Sequence, residues 1–243
     1  QSVSADWGRD ERIRVLRPEG VHNAASARNA GLAAARGGWV SYLDDDDAWR
    51  PEKLVRQLAL AHASDAPLVL CGAMFHLRGR RRRVQCDTGE WLGDDLLLRA
   101  RWNTPLLLHR RGDVRFDEQL SPGEDAELAH RIVAGAGGES VPNVPLALVD
   151  IYPQPGSRVN ANPAPLRVAA ARILALRPGY YTRTARRRYV LQTLLAIAKL
   201  SHRPGRCLAI GLSLLRESGG RDWRAVANAA AASLNLFPGR WVS

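Results

Sequence analysis

Apolar positions come in short clusters divided by Gly, Pro and charged residues, and two spacings alternate along the first two thirds of the chain. Ile13–Leu16 is a brief apolar stretch holding Arg14 and ended by Arg17-Pro18-Glu19-Gly20, which predicts a strand and a turn. Ser26–Arg36 is Ala-rich, with Ser26 placed to cap a helix and Gly37-Gly38 placed to stop it. Trp39–Leu43 is aromatic and β-branched and predicts a buried strand that runs into four acids, Asp44–Asp47. Pro51 opens a second helix with Leu54, Leu58 and Ala61 at helical spacing. Leu68–Leu77 and Thr104–His109 predict strands, with Gly79 and Arg80–Arg83 as a basic turn. Glu124–Ala136 predicts a helix carrying Leu128, Ile132 and Ala136 on one face, and Val144–Ile151 a further strand. Helix, strand, acidic loop and helix in succession predict an α/β sheet. Ligands of such sheets sit outside the carboxyl ends of strands, which is where Asp44–Asp47 fall.

The pattern changes after Ile151. Tyr152–Pro165 is rich in Pro and small polar residues and predicts a boundary. From Leu166 onward the pattern is helical and Arg-rich, broken by Pro178-Gly179, Pro204-Gly205 and Gly219-Gly220 into three or four helices. We therefore expect a domain over residues 1–160 and a C-terminal helical region over 161–243. At 243 residues the chain is long enough for a substantial core. Its net charge of +11 favours anionic partners without choosing among nucleic acid, lipid headgroups and phosphorylated substrates. Three cysteines without metal-ligand spacing predict reduced thiols and a cytoplasmic location. No apolar run has the length of a membrane span; Val190–Leu200, the nearest, contains Gln192 and Lys199.

Three features could carry chemistry. In an extended segment Asp44 and Asp46 point to one side, and a divalent cation relieves the repulsion of four adjacent carboxylates. Such a half-site, two carboxylates completed by substrate phosphates, suits Mg²⁺. Asp47 alone reads as a helix-start acid. Glu124-Asp125 follows Ser121-Pro122-Gly123 at a helix start. Locally the pair reads as capping carboxylates, although an ionised Asp facing a cleft can act as a general base. Arg28-Asn29, in the first turn of a helix, suits a phosphate only weakly. The histidines show no metal spacing, and His130 within an amphipathic helix reads as structural. The aromatics near the Arg runs are too sparse for a nucleic-acid stacking platform.

In their order and spacing, these pieces resemble a known family. Asn23–Leu58 holds Ala-Arg-Asn-Ala-Gly, then Leu-Asp-Asp-Asp-Asp-Ala-Trp, then Pro-Glu-Lys-Leu. This is similar to the central block of inverting family-2 glycosyltransferases of the GT-A fold, a mixed sheet flanked by helices. Thr104–Arg110, Arg115–Leu120 and Gly123–Arg131 resemble the acceptor-side segment of the same family. The resemblance covers about Arg12 to Ser157. It implies a divalent metal, Mn²⁺ or Mg²⁺, with Asp46 as main ligand and Asp44 nearer the nucleotide. It implies that Arg28, Asn29, Asp44 and Asp45 line the donor site and that Asp125 is the general base. The implied reaction moves a sugar from a nucleotide-diphosphate sugar to a glycan or lipid-linked acceptor hydroxyl with inversion, in surface polysaccharide or glycolipid synthesis.

The chain departs from that pattern in three ways. The family's opening strand and Asp-Asp-Gly-Ser turn, expected before Arg12, are absent from Gln1–Glu11. Gln154 stands where some members carry a His, which removes a third metal ligand. There is no Gln-x-x-Arg-Trp motif, which argues against a processive synthase. The basic C-terminal helices could dock at the inner face of the membrane or pack on the catalytic domain. The competing reading is a non-catalytic glycosyltransferase-like module whose basic surface binds polyanions or a protein partner. The paired carboxylates argue against it, and no specific nucleic acid is expected.

Overall fold

The computed structural model describes residues 10–77, 80–120, 122–153, 164–176, 178–200, 205–206, 209–210 and 212. The helices are α1 (Ala24–Ala34), α2 (Lys53–Ser64), α3 (Gly93–Leu98), α4 (Glu124–Gly135), α5 (Ala164–Leu176) and α6 (Arg183–Leu200). The strands are β1 (Trp39–Ser41), β2 (Ala48–Trp49), β3 (Leu68–Leu77), β4 (Arg80–Val84), β5 (Glu90–Leu92), β6 (Leu108–Arg110) and β7 (Ser140–Ile151). They form one sheet in the order β1-β6-β3-β7-β2, with β4 on β3 and β5 on β7. Only β3 and β7 run parallel, so the sheet is mixed as predicted.

The centre of the sheet follows from β3. Leu68–Ala73 is an unbroken buried run, as expected of a strand covered on both faces and flanked by neighbours. Leu106, Leu107, Leu148 and Val149 join it from neighbouring elements, and Leu128, Ala129 and Val133 of α4 close one side. Gly72 marks a register shift between β3 and β7. A Cβ there would lie 2.4 Å from Cys86 Sγ and 2.8 Å from the Leu146 carbonyl oxygen, so only glycine fits this approach.

Several expectations are corrected. Ile13–Leu16 forms no strand; the segment pairs with none of the described strands, and Val15 is 58% exposed. Arg80–Arg83 is not a turn but the body of edge strand β4, its exposed charges being compatible with an unpaired edge. Thr104–His109 splits into a 3-10 turn over Thr104–Leu106 and the strand β6, because Pro105 cannot donate to a ladder. In α1 the cap is Asn23, whose side chain accepts from the Ser26 N–H; Ser26 answers as the third residue of a reciprocal capping box.

Helix α2 keeps most of the face its apolar spacing predicted: Ala61 is buried and Leu58 packs against the core, whereas Leu54 is exposed and Lys53 and Gln57 are buried beside them. Gln57 donates to the carbonyls of Leu106 (2.9 Å) and Val69 (3.2 Å), so it meets hydrogen-bond demand below the helix. Short β5 and α3 had no visible period, and β7 begins four residues before the predicted strand. Beyond α4, α5 and α6 pack on the sheet domain: Ile173, Tyr181 and Ala185 form a buried cluster with Leu97. Thr182 bonds Asp94 through its backbone N–H (2.9 Å) and its hydroxyl. The rest of the predicted helical region and Gln154 lie outside the described residues.

Candidate functional site

The site is built where α1, the loop between β1 and β2, and the start of α4 meet. Arg28 on α1 joins them. Its guanidinium donates to Asp44 Oδ1 (2.8 Å) and to Glu124 Oε1 (3.2 Å), and packs over the Phe116 ring. Burial pulls the Arg28 pKa down, but Asp44, Glu124 and Asp125 outweigh it and raise it, so the guanidinium stays charged.

The four acids make a tight turn and not an extended run, which corrects the expected side-to-side alternation. The Asp47 N–H donates to the Asp44 carbonyl at 3.1 Å, with Asp45 and Asp46 at the corner. Asp44 and Asp46 are half-buried and Asp45 is exposed. Asp47 looks the other way and accepts from the Tyr152 N–H at 3.1 Å. The turn is held from below by Lys53. This ammonium, wholly buried, donates to Ser41 Oγ on β1 (2.8 Å) and sits 4.4 Å from the Trp49 ring on β2. It thus ties together the two strands that enter and leave the acid turn. Burial lowers its pKa to about 8.

Glu124 and Asp125 open α4 after Gly123, whose φ of +116° is a glycine conformation. Helix α5 also presses on this point; a Cβ on Gly123 would lie 2.9 Å from Ala169 Cβ. Asp125 Oδ1 accepts from the Ala126 N–H at 2.7 Å. Burial, and then the charge of Glu124, push the Asp125 carboxyl up to about 7, against the pull of Arg28. Tyr189 of α6 lies in the same neighbourhood, and burial and the Asp125 charge push its phenol up to about 12. A carboxylate that titrates near neutrality beside a retained cation is suited to proton transfer.

Asn29 is placed differently from Arg28. It is buried, its amide N–H₂ donates to the Phe116 carbonyl (2.9 Å) and Glu118 Oε1 (3.0 Å), and its oxygen accepts from the Phe116 N–H (2.8 Å). It clamps the segment that leads into Gly123 and so positions the start of α4. His130 is buried between Trp102 and Tyr181 within hydrogen-bond range of the Tyr181 hydroxyl (3.1 Å).

Sequence reasoning missed a second cluster on the far side of the acid turn. Asp150, near the end of β7, accepts from Arg50 (3.0 and 3.2 Å) and lies 2.7 Å from His76 Nε2. Burial opposes ionisation, but Arg50 and His76 hold the Asp150 carboxyl below its usual range. The His76 ring stacks on Tyr152 at 4.4 Å. Strands β3 and β7 and the residues just past β2 and β7 contribute, so only sheet register reveals the cluster. The donor set of the acid turn, hard carboxylate oxygens, fits a cation completed by phosphates. Among the described residues no group of three or more metal-ligating side chains is gathered.

A mixed sheet with helices on its faces, an acid turn at a strand end and a Glu-Asp pair opening a helix across from it agree with the GT-A fold expected from the sequence. Residues 2–116 match the family described as Glycosyl transferase family 2. Among curated relatives it is 31% identical over 146 residues to the succinoglycan biosynthesis protein ExoO of Rhizobium meliloti (strain 1021). That match covers 53% of this chain and 42% of ExoO, so it takes in less than half of the relative. A shorter stretch of 49 residues is 49% identical to the putative teichuronic acid biosynthesis glycosyltransferase TuaG of Bacillus subtilis (strain 168), covering 20% of this chain and 19% of TuaG. Among solved structures, S. aureus TarS 1-349 in complex with UDP-GlcNAc superposes with a TM-score of 0.53 at 13% identity. The superposition covers 87% of this chain and 71% of that one and supports the fold. Among the described residues no helix is long and apolar enough to cross a membrane.

Proposed function

We propose that this protein transfers a sugar from a nucleotide-diphosphate sugar to an acceptor hydroxyl with inversion, in the assembly of a surface polysaccharide or glycolipid. The observation that carries the reading is Arg28: one guanidinium binds both Asp44 of the acid turn and Glu124 beside Asp125. Three motifs far apart in sequence therefore converge on one point.

In this reading Asp125 accepts the proton of the acceptor hydroxyl, and that oxygen forms a bond to the anomeric carbon. The bond from that carbon to the diphosphate oxygen breaks on the opposite face, so the configuration inverts. Arg28 keeps positive charge beside the acid turn. Asn29 fixes the segment that aims α4, a positioning role. Asp46 and Asp44 would hold Mn²⁺ or Mg²⁺, with Asp45 at the same corner. Such an ion supplies neutralisation of the departing diphosphate. The names of relatives agree with this substrate class: ExoO and TuaG are named for polysaccharide biosynthesis, and an Escherichia coli relative, WfgD, is named as a glucosyltransferase acting on GlcNAc-diphosphoundecaprenol from UDP-Glc.

The test is release of nucleoside diphosphate from a panel of UDP-, GDP- and dTDP-sugars with Mn²⁺, with and without candidate acceptors. Release from one donor class, lost in Asp125→Asn with donor binding kept, is expected. No release from any donor, together with equal donor binding by the wild type and Asp46→Ala, would overturn the proposal.

A further inference from the structure

The arginines of β4 and the Asp150 cluster belong to one surface. Register aligns them: Arg81 lies opposite His76 and Arg83 opposite Met74 across β4 and β3, and Met74 opposite Asp150 across β3 and β7. Across β7 and β2, Asp150 lies opposite Ala48, and Arg50 reaches back to the same carboxylate. Directly paired residues share a face, and neighbours along a strand alternate. Arg81, His76, Asp150 and Arg50 thus form a row across β4, β3 and β7 to the residue just past β2, with Arg83 behind it. Arg80 and Arg82 fall on the opposite face. Asp150 neutralises one of these cations, and the row keeps a positive excess.

The row has two further properties of a binding surface. Tyr152, 41% exposed, lies stacked on His76 and offers a flat apolar ring. Its backbone N–H is bonded to Asp47, so the row ends at the acid turn. Like charges gathered on an edge strand repel one another, and an anion relieves that cost. An Arg fork matches phosphate geometry, and an exposed aromatic ring suits the apolar face of a sugar.

We infer that this row is a second binding site, taking a sugar that carries a phosphate or diphosphate, and that it holds the acceptor beside the donor site. The acceptor role rests on the glycosyltransferase reading above; phosphate recognition by the row does not. Phosphate on a soluble sugar and phosphate in a lipid headgroup share this chemistry, and the sequence alternation of β4 supplies a control for total charge.

The experiment measures binding of inorganic pyrophosphate and glucose 1-phosphate by calorimetry in EDTA, beside sedimentation with phosphatidylglycerol vesicles. The proteins are the wild type, Arg81→Gln/Arg83→Gln and Arg80→Gln/Arg82→Gln, which lose the same charge. Mn²⁺-dependent UDP binding reports on folding and on the donor site. The expected result is an affinity for both phosphate probes about tenfold weaker in the Arg81/Arg83 variant, changed less than twofold in the other, with UDP binding equal in all three. Equal losses in both variants, or no loss in either, would overturn the site. Vesicle binding that depends on Arg81 and Arg83, without binding of glucose 1-phosphate, would assign the row to a membrane surface and overturn it too. Discrimination between the variants without UDP binding by any protein would support the phosphate site while removing its acceptor role.

Discussion

Lys53→Met removes the buried cation beneath the acid turn, and its effect can be worked from the structure. The lysine is fully buried, and burial lowers its pKa from 10.5 to about 8. At about 1.4 kcal/mol per pH unit, holding the charge at pH 7 costs about 3 kcal/mol. Against this stand one hydrogen bond to Ser41 and one contact with the Trp49 ring, about 1 kcal/mol each. Met fills a similar volume, so the variant should be more stable at pH 7 by about 1 kcal/mol. The sign then changes with pH. The unfolded chain holds the Lys53 proton up to about pH 10.5 and the folded chain only to about 8, so the wild type gains stability as pH rises across that window and loses it as pH falls through about 8. The variant lacks this gain. Urea unfolding of both proteins from pH 7 to pH 10 should show the advantage of Lys53→Met shrinking and then reversing. A difference flat with pH, or a variant several kcal/mol less stable at pH 7, would refute a buried ammonium held at a cost for the sake of the turn.

Three further substitutions probe other parts of the account. Asp125→Asn should lower transfer by about 10²–10⁴-fold, and the wild-type rate should fall as pH drops below about 7, because the raised pKa leaves Asp125 protonated there; a rate flat from pH 5 to pH 8 would exclude it as the base. Gly72→Ala drives a methyl group into Cys86 and the Leu146 carbonyl and should cost about 1–3 kcal/mol in urea unfolding; an unchanged midpoint would mean the β3–β7 contact gives way freely. Asn29→Leu strips partners from the buried Phe116 backbone and should cost about 2–4 kcal/mol while leaving Arg28 and the acid turn intact; a larger effect on donor binding than on stability would make Asn29 a direct donor ligand.

Local signals made much of the architecture legible. The buried run of β3, the amphipathic α4 and the Asp turn were all visible as patterns in the chain. The failures share a physical cause, which is that the deciding partner lies elsewhere in the sequence. Ile13–Leu16 has the composition of a strand but joins no ladder among the described residues. In α2 the exposed Leu54 gives way to Lys53 and Gln57; the carbonyl partners of Gln57 belong to β3 and the 3-10 turn. Arg80–Arg83 resembles a solvated turn until pairing with β3 turns it into an edge strand. At the site, the motifs named Asp44, Asp46 and Asp125, but nothing local announced that Arg28 would join Asp44 to Glu124. The row through His76, Asp150 and Arg50 was hidden altogether, since it exists only in the register of β3, β7 and β2. Lys53 was hidden for the opposite reason: a lysine in an amphipathic pattern is usually placed on the wet face.

The central claim is that the acid turn forms a metal-assisted donor site. Calorimetry of UDP, then GDP and dTDP, with and without Mn²⁺, on the wild type and Asp46→Ala tests it most directly. The account predicts Mn²⁺-dependent binding of one nucleotide class by the wild type and its loss in Asp46→Ala, with unfolding unchanged. Binding of the same strength in the variant, or no binding of any nucleoside diphosphate by a folded wild type, would contradict it and favour a non-catalytic module with a basic surface.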